Sequence, residues 1–550
     1  MRAKKRLFCT EASHLPTGYS VYTKEVLSRL CQDPAFEVAE LACYCDASDP
    51  YLKECEWTIF PNRPMKDNPD WDTYQQFPTY QFGEYSFNTV ALKFRPDFVM
   101  DIRDWWMLEF QQRSPFRDFF NWAIMPTVDA EPQNPQWVDT YSSANAVITY
   151  SEFGRDTLVN QSDFINFRGI APPCASNSFS PVPDKGAHKD ALGIASDAFI
   201  IGTVMRNQRR KLYPDLFSVF RDFLNHTKSD NAFLYCHTYF PDVGWDIPEL
   251  LQEYGLSNRV LFTYKCKSCG LVYPSFFQDV FQGCRSCGEF NSHLVGIENK
   301  INEKELSQVY NLFDIYIQYA NSEGFGMPQL EAAQCGVPVI SIDYSAMHSI
   351  VRNIGAFGLQ PLKLHTECET GCKRAIPNNV EATNLLIKLY GLSEESLKEK
   401  GMQMREETIK HYNWDTTAQA WSDYFKSVDL KDASETWLSP PKKFVPAPHV
   451  PDGLPHKEQV NFLFEHVLGK PEWIGGYQWK KTLRDLIYKC SYRSTNSDFY
   501  FNESHSVDND IQKATPFNTE IAYDRFVQMC NLHNQWEDIR INEITQGTPS

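Results

Sequence analysis

Two glutamates eight positions apart, Glu323 and Glu331, lie on either side of the glycine turn Gly324-Phe325-Gly326. Pro328 suits the first turn of a helix, and Gly336 suits its C-terminal cap. The free backbone amides at the start of such a helix carry partial positive charge, so they suit a phosphate. The carboxylates cannot bind phosphate, but they can accept hydrogen bonds from hydroxyl groups. The segment therefore predicts a site for a diphosphate between a ribose and a hexose; the alternative is an ordinary strand–loop–helix unit with acidic surface residues.

A cluster of cations follows the strand predicted at 198–204, and it consists of Arg206, Arg209, Arg210 and Lys211. Four positive charges at the C-terminal end of a strand and the start of a helix repel one another strongly unless an anion lies among them. The cluster therefore predicts an anion site in the same part of the chain as the two glutamates.

Four cysteines form two C-x2-C pairs, and these are Cys266, Cys269, Cys284 and Cys287. Each pair is followed by a glycine that lets backbone amides turn toward the sulfurs. Four thiolates at this spacing predict a structural zinc ribbon over 263–291, which metal binding would stabilise by on the order of 10 kcal/mol. Redox-active dithiols are the alternative. Cys368 and Cys372 form a further pair, but two ligands alone are weak support for a second metal site.

The segment E-G-F-G-M-P-x-L-E-A-x-x-x-G-V-P-V-I resembles the E-x7-E signature of the retaining glycosyltransferases with the GT-B fold, the glycosyl transferases group 1 family. The resemblance implies that Glu323 contacts the donor sugar and Glu331 the ribose. It also implies that Arg206 and Lys211 bind the donor diphosphate, with Arg209 and Arg210 solvated or facing the acceptor. Retention of anomeric configuration and the lack of any need for a catalytic divalent metal come from the same resemblance.

The first half of the chain supplies two weaker candidates for the site. Gly18 lies in a glycine turn that leads into the first helix, a place where the family approaches the donor phosphates and the acceptor. Many family members carry a histidine near the end of the strand that here reads P-T-V-D-A-E-P, and this chain has none there. Asp129 is the acidic group available to touch a donor or to accept a proton from an acceptor hydroxyl, whereas Glu131 is interpreted as part of a solvated loop.

The elements that must position these residues alternate between strands and helices, so the fold class is α/β. The resemblance implies GT-B architecture, with two Rossmann-like domains facing a cleft. The predicted parts are an acceptor domain over 1–182, a donor domain over 183–412 that carries the ribbon, a crossover helix over 413–430 that packs on the first domain, and a helical C-terminal extension over 440–550. The extension, with Trp473, Trp479 and Trp536, is interpreted as a packing or oligomerisation element.

Composition limits the compartment and the partners. Net charge is −17, which disfavours non-specific adhesion to nucleic acid or anionic membrane over most of the surface. No window approaches the roughly 18 apolar residues of a membrane span, and the basic N-terminus lacks the apolar run of a signal peptide. With 16 scattered cysteines, free thiols and a metal site are expected rather than a disulfide framework. We therefore expect a cytoplasmic protein.

The expected reaction is the transfer of a sugar from a nucleotide sugar to an acceptor hydroxyl. Two acceptors stay open: a carbohydrate or lipid-linked glycan, and a hydroxymethylated base in DNA. Zinc ribbons often serve nucleic acid, and Lys265, Lys267 and Arg285 make this one locally basic, although the overall acidic charge argues mildly against DNA. A base in a duplex would have to be extruded to react. The alternative function is a non-catalytic module that binds a nucleotide sugar or nucleic acid.

Overall fold

A computed structural model describes residues 3–430 of the 550, apart from residues 115, 297 and 298. The strands are β1 (Lys4–Glu11), β2 (Phe36–Cys43), β3 (Thr58–Pro61), β4 (Phe98–Asp101), β5 (Asn121–Ile124), β6 (Ala146–Thr149), β7 (Phe167–Ile170), β8 (Phe199–Val204), β9 (Ala232–His237), β10 (Val260–Cys266), β11 (Val272–Phe276), β12 (Phe281–Gln282), β13 (Ser292–Leu294), β14 (Ile315–Gln318), β15 (Val339–Ile342), β16 (Phe357–Leu359), β17 (Lys363–Thr366) and β18 (Lys373–Ile376).

The α-helices follow the same alternation. They are α1 (Gly18–Leu30), α2 (Trp71–Gln76), α3 (Tyr85–Phe94), α4 (Trp105–Leu108), α5 (Pro135–Ser142), α6 (Glu152–Gln161), α7 (Lys185–Ala191), α8 (Tyr213–Thr227), α9 (Ile247–Glu253), α10 (Glu303–Tyr310), α11 (Met327–Gln334), α12 (Ala346–Ile354), α13 (Asn379–Tyr390), α14 (Glu394–His411) and α15 (Trp414–Ser427). Short 3₁₀ turns and one π-helical turn occur within 50–119.

Two compact units make up the described residues. The first comprises residues 3–12, 30–123 and 426–430, and the second comprises Ser13–Arg29 and Ile124–Phe425. In the first unit, β1 pairs in parallel with β2 and β4, and β2 pairs in parallel with β3. Parallel neighbours require crossover connections, which the helices between these strands supply.

The second unit contains the sheet that positions the glutamates and the cations. Its strand order is β12-β13-β10-β9-β8-β14-β15-β16, with β11 paired on β10. The five strands from β9 to β16 and the first half of β10 run parallel, whereas β11 and β13 run antiparallel to β10. Because β8 and β14 are neighbours in parallel register, the segments that follow them emerge at the same edge of the sheet.

The sequence of each central strand explains its place. β8 is a run of β-branched and small residues that is buried except at Phe199, as expected for a strand covered on both faces. Gly202 is needed within it because a Cβ atom there would lie 2.2 Å from the ring of Phe313. Helix α8 covers the sheet with the apolar face that includes Leu216, Phe220 and Phe223, all of them fully buried.

Two regions carry structure that the sequence pattern does not reveal. Strand β10 runs into the cysteine-rich insertion and ends at Cys266, because Leu261–Lys265 pairs with β11. Residues 50–90 contain β3, α2, a π-helical turn and the start of α3. Their helical spacing is hidden by the many aromatic and proline residues of that stretch.

The predicted domain boundaries 1–182, 183–412, 263–291 and 413–430 stay predictions. The helix expected at the end of the donor domain is present as α15, and the Nε1 atom of Trp421 donates a hydrogen bond to Tyr22 Oη at 2.8 Å. The C-terminal extension over 440–550 and its predicted role in oligomerisation lie outside the described residues. Among the residues that the structure covers, no helix combines the length and the apolar character that crossing a membrane requires.

Helix α14 packs against the end of α11 through two glycines. A Cβ atom at Gly401 would lie 1.9 Å from the carbonyl oxygen of Gly336, whose φ of +71° is in the left-handed region. This close approach between two backbones fixes the C-terminal end of the helix that carries Glu331.

We therefore expect Gly401→Ala to lower the melting temperature by several degrees, because overpacking of this kind costs about 1–3 kcal/mol. The matched control is Gly391→Ala, where the nearest atoms to a Cβ lie at an ordinary 3.6 Å. Differential scanning fluorimetry on both variants checks the expectation. Equal melting temperatures for the two variants would contradict it.

Candidate active site

Helix α11 begins where the sequence predicted an anion-binding turn. Gly326 caps it with φ +104°, a conformation that favours glycine, and Pro328 lies in its first turn. A Cβ atom at Gly324 would lie 2.3 Å from the Cγ2 atom of Thr127, so the backbone of the turn can pass that residue only as glycine. Phe325 is buried, and its ring contacts Tyr412 edge to face at 5.7 Å. The turn is thus held rigidly on two sides.

Glu323 lies at the centre of a buried polar cluster. Its Oε1 atom contacts the ammonium group of Lys211 and accepts a hydrogen bond from Gln318 Nε2 at 2.7 Å. Its Oε2 atom accepts from Arg210 Nη1 at 2.6 Å. The backbone amide of Glu323 donates to Ser345 Oγ at 2.9 Å. The carboxylate is therefore paired with two cations in this structure.

Lys211 is buried in the same cluster. Burial and then the positive charge of Arg210 lower the pKa of Lys211 well below its usual value. The contact with the carboxylate of Glu323 acts in the opposite direction. Lys211 therefore depends on a neighbouring anion to keep its proton, which is Glu323 here and which a phosphate could also supply.

Arg210, which we predicted to be solvated or to face the acceptor, is partly exposed, and a role toward the acceptor stays a prediction. Its guanidinium donates to Glu323 and also to the carbonyl oxygen of Ser322 at 3.0 Å. Arg209 is exposed. The spacing of the four cations in the sequence does not show that Arg210 lies beside Lys211 while Arg209 faces solvent.

Arg206 lies on the loop that follows β8, but its partner in the structure is Asp242. The Nε and Nη2 atoms of Arg206 donate to the two carboxylate oxygens of Asp242 at 2.9 and 3.0 Å. About half of the Arg206 side chain is exposed, so a phosphate could contact it beside Asp242. The predicted roles of Arg206 and Lys211 in binding a diphosphate stay predictions.

Glu331 occupies the second turn of α11, where its Oε2 atom accepts a hydrogen bond from Tyr310 Oη at 2.6 Å. Burial raises the pKa of Glu331 to about 7, and the hydrogen bond from Tyr310 offsets part of that rise. A carboxylate that is half ionised near neutral pH can accept hydrogen bonds from hydroxyl groups, as its predicted contact with a ribose requires.

Asp129 is also next to the cluster, through residues that sequence reasoning missed. Its Oδ2 atom accepts from Arg374 Nη1 at 2.8 Å and from Ser322 Oγ at 3.4 Å. Arg374 comes from the β17–β18 hairpin, which had no recognisable signal in the sequence. Glu131 meets the same hairpin through its backbone, since its carbonyl oxygen accepts from the amide of Lys373 at 2.8 Å.

Gly18 is the first residue of α1, and a Cβ atom there would meet nothing within 4 Å. The following residue Tyr19 shares a 2.8 Å hydrogen bond between its hydroxyl and that of Thr127, the residue that packs on Gly324. The turn at Gly18 is thus connected to the start of α11 through two side chains, and its role in donor binding stays a prediction.

The four cysteines of the insertion converge. The sulfurs lie within 4.8 Å of one another, with Cys266 and Cys287 at 3.7 Å and Cys269 and Cys284 at 3.7 Å. Zn–S bonds of about 2.3 Å in a tetrahedron place sulfurs about 3.8 Å apart, so the residues fit a zinc ion. Both turn glycines adopt left-handed φ values, +78° at Gly270 and +77° at Gly288. Their amides donate to the carbonyl oxygens of Cys266 and Cys284.

Cys368 and Cys372, the weaker metal candidates, are not part of any comparable group. Within the described part of the chain, the four insertion cysteines are the one set of three or more potential ligands in reach of each other. Cys372 is buried and Cys368 is exposed.

Comparison with protein families gives a match around the predicted site. The model of the family described as glycosyl transferases group 1 matches residues 291–356, which include the turn, both glutamates and α11. The chain is therefore similar to this family over the segment that carries the predicted site. A curated relative, the serotype-specific mannosyltransferase WbdA of Escherichia coli, is 20% identical over 236 residues. That alignment covers 43% of this chain and 23% of the relative, so the chain spans about a quarter of the relative's length.

Comparison with solved structures shows that the chain has the GT-B fold. Sucrose-phosphate synthase of Thermosynechococcus elongatus is 17% identical with a TM-score of 0.55, covering 77% of this chain and 98% of that one. HepE of Anabaena, solved in complex with UDP and glucose, is 14% identical with a TM-score of 0.54, covering 77% of this chain and all of the other. At these identities the similarity concerns the fold.

The raised pKa of Glu331 predicts a pH-dependent stability. Between the ordinary glutamate pKa of about 4.5 and the value of about 7, the folded state binds more protons than the unfolded state. Stability should therefore decrease as pH rises from about 5 to 7.5, and Glu331→Gln should remove this component. As pH rises over this range, the melting temperature of Glu331→Gln should increase relative to that of the wild type. Glu253→Gln, at an exposed glutamate, is the control, and parallel pH curves for wild type and Glu331→Gln would refute the assignment.

Proposed function

We propose that this group 1 glycosyltransferase moves a sugar from a nucleoside diphosphate donor to the hydroxyl group of an acceptor, with retention of anomeric configuration. The observation that carries the proposal is the contact of buried Lys211 and partly exposed Arg210 with buried Glu323, just before α11 begins. This arrangement places two cations and a carboxylate beside the start of a helix, where a ligand with negative charge and hydroxyl groups would be stabilised. A sugar diphosphate has the hydroxyl groups and the negative charge that match them.

In the proposed mechanism, the bond between the anomeric carbon and the diphosphate breaks and the leaving group takes the electron pair. Negative charge then grows on the diphosphate oxygens. Lys211, Arg206 and the amides of Gly324–Gly326 would stabilise that charge, so we propose no catalytic divalent metal. The acceptor oxygen attacks the same face that the diphosphate leaves, within an ion pair, and the proton of the acceptor hydroxyl passes to the leaving diphosphate oxygen. Glu323 then positions the sugar and does not act as a covalent nucleophile.

Glu331 is proposed to accept hydrogen bonds from the ribose, and the backbone at Gly18 and Phe325 to approach the donor. Support for a nucleotide sugar comes from the related fold of HepE, which was solved with UDP and glucose. The family relative WbdA is a mannosyltransferase. These relatives support the class of donor, and we do not assign the sugar or the base from them.

For the acceptor, we favour a glycan over a modified base in DNA. Of the three cations that would dock DNA, Lys265 pairs with Glu305 at 3.1 Å, and Arg285 donates to the carbonyl oxygen of Leu192. Lys267 and Arg285 are exposed, and Lys265 is half-buried. Cations already engaged within the protein contribute less to a phosphate-binding surface.

We propose that Cys266, Cys269, Cys284 and Cys287 hold a structural zinc ion. All four positions of the tetrahedron would be filled by cysteine, so the metal would stabilise the insertion and leave no site for substrate. We also propose a cytoplasmic location, because none of the fourteen cysteines within the described residues forms a disulfide. A non-catalytic binding module is the second candidate function, and the retention of Lys211 and both glutamates argues against it.

A mass-shift screen of nucleotide sugars, with glycan acceptors and hydroxymethylated DNA as separate arms, tests the proposal. We expect turnover in a glycan arm, and Lys211→Ala should lower it about 100-fold to 1000-fold, as loss of a charge-stabilising donor does. Lys388→Ala, at an exposed lysine of α13, is the matched control. Binding of a donor without turnover in any arm would favour the non-catalytic module, and turnover of DNA would reassign the acceptor.

Metal analysis tests the zinc proposal independently. We expect one zinc per chain by mass spectrometry of the purified protein, and Cys284→Ser should remove it and lower the melting temperature. Cys236→Ser, at a buried cysteine of β9 outside the cluster, is the control that keeps the metal. Full zinc content in Cys284→Ser would exclude the four-cysteine site.

A further inference from the structure

The β17–β18 hairpin places an arginine beside the proposed donor site. Arg374 is nearly buried, and its side chain spans two acidic residues. Its Nη1 atom donates to Asp129 Oδ2 at 2.8 Å and to Ser322 Oγ at 2.7 Å. Its Nη2 and Nε atoms donate to Glu367 Oε2 at 3.0 and 3.2 Å. Every nitrogen of the guanidinium therefore has a partner within the protein.

An arginine whose guanidinium nitrogens all have partners within the protein is not available to bind an anion. A ligand phosphate or carboxylate would have to displace the half-buried Asp129 and Glu367 from a guanidinium that is itself nearly buried. What Arg374 can do instead is fix the orientation of its partners. The planar, forked guanidinium is suited to this because each of its N–H groups has a set direction.

The hairpin itself is attached on both sides of Arg374. The amide of Ala375 donates to the carbonyl oxygen of Asn321 at 3.0 Å, and the amide of Lys373 donates to that of Glu131 at 2.8 Å. The hydroxyl of Tyr344 donates to the carbonyl oxygen of Lys373 at 2.8 Å. Arg374 is thus presented from a backbone that is hydrogen-bonded to the neighbours of both Asp129 and Glu323.

The contacts of Asp129 are asymmetric. Arg374 and Ser322 both use Oδ2, and Oδ1 has no hydrogen-bond partner among the described residues. Ser322 precedes Glu323, the residue proposed to position the donor sugar. Thr127, two residues before Asp129, packs on Gly324 at the start of α11. The unused oxygen of Asp129 is therefore next to the place where the donor sugar would react.

We propose that Arg374 is a positioning residue that holds Asp129 so that its Oδ1 atom accepts a hydrogen bond from the acceptor hydroxyl. The inference rests on the proposed function, since it names the acceptor side of the same site. It predicts that Arg374 acts through Asp129 and not through the donor. Loss of Arg374 should then impair the use of the acceptor more than the use of the donor.

The test is a double-mutant cycle measured by initial rates with the donor and acceptor that the wild type turns over. Arg374→Gln and Asp129→Asn should each lower kcat/KM for the acceptor about tenfold or more, because each removes a charged hydrogen bond. The double variant should be no slower than Asp129→Asn alone. Arg374→Lys should recover part of the loss, because it restores a cation without the fork. Arg352→Gln, at an exposed arginine of α12, is the control.

Independent, multiplicative losses in the double variant would overturn the inference while leaving the proposed function in place. So would equal losses in KM for donor and acceptor, which indicate a general structural role. If Arg374→Gln does not fold, Ser322→Ala, which removes the neighbouring hydroxyl on Oδ2, takes its place in the cycle with the same expected coupling. A wild-type protein that turns over no donor would instead overturn the proposed function, and the inference with it.

Discussion

The contact of Glu323 with Lys211 and Arg210 is the interaction on which the rest of the site depends. Glu323 and Lys211 are removed from water together, and the partly exposed Arg210 completes the pairing of the carboxylate. The contact forms because β8 and β14 are parallel neighbours, so the loop after one strand meets the loop after the other. A single bridge between Lys211 and Ala320 holds those two loops side by side. The order of strands in the sheet is therefore what makes the chemistry possible.

The sequence was most informative where local geometry restricts residue type. The glycines and the proline of the segment around α11 identified a strand, a turn and a helix, because only certain residues allow that backbone. The four cysteines were equally informative, since two C-x2-C pairs have few alternative uses. In both cases the residues that determine the local structure lie within a short stretch of chain. The fold class followed from the alternation of strands and helices.

What could not be predicted depends on contacts between distant parts of the chain. The sequence did not indicate which acidic residue each arginine of the cation cluster contacts, and the structure pairs Arg210 with Glu323 and Arg206 with Asp242. Arg374 is 245 residues from Asp129, and nothing in its own neighbourhood marks it. The π-helical turn and short helices before β4 were also missed, because dense aromatic residues obscure any helical period. These contacts join residues that are far apart in the sequence, so no single segment predicts them.

The way in which the cysteine-rich insertion joins the sheet has a consequence of its own. The first cysteine is the last residue of β10, a strand that begins as a parallel member of the sheet and ends with antiparallel neighbours. No linker separates the two parts, so the insertion has no freedom to pivot as an independent module. Release of the proposed zinc ion would therefore disturb strand β10 of the sheet itself, and not only the four-cysteine insertion.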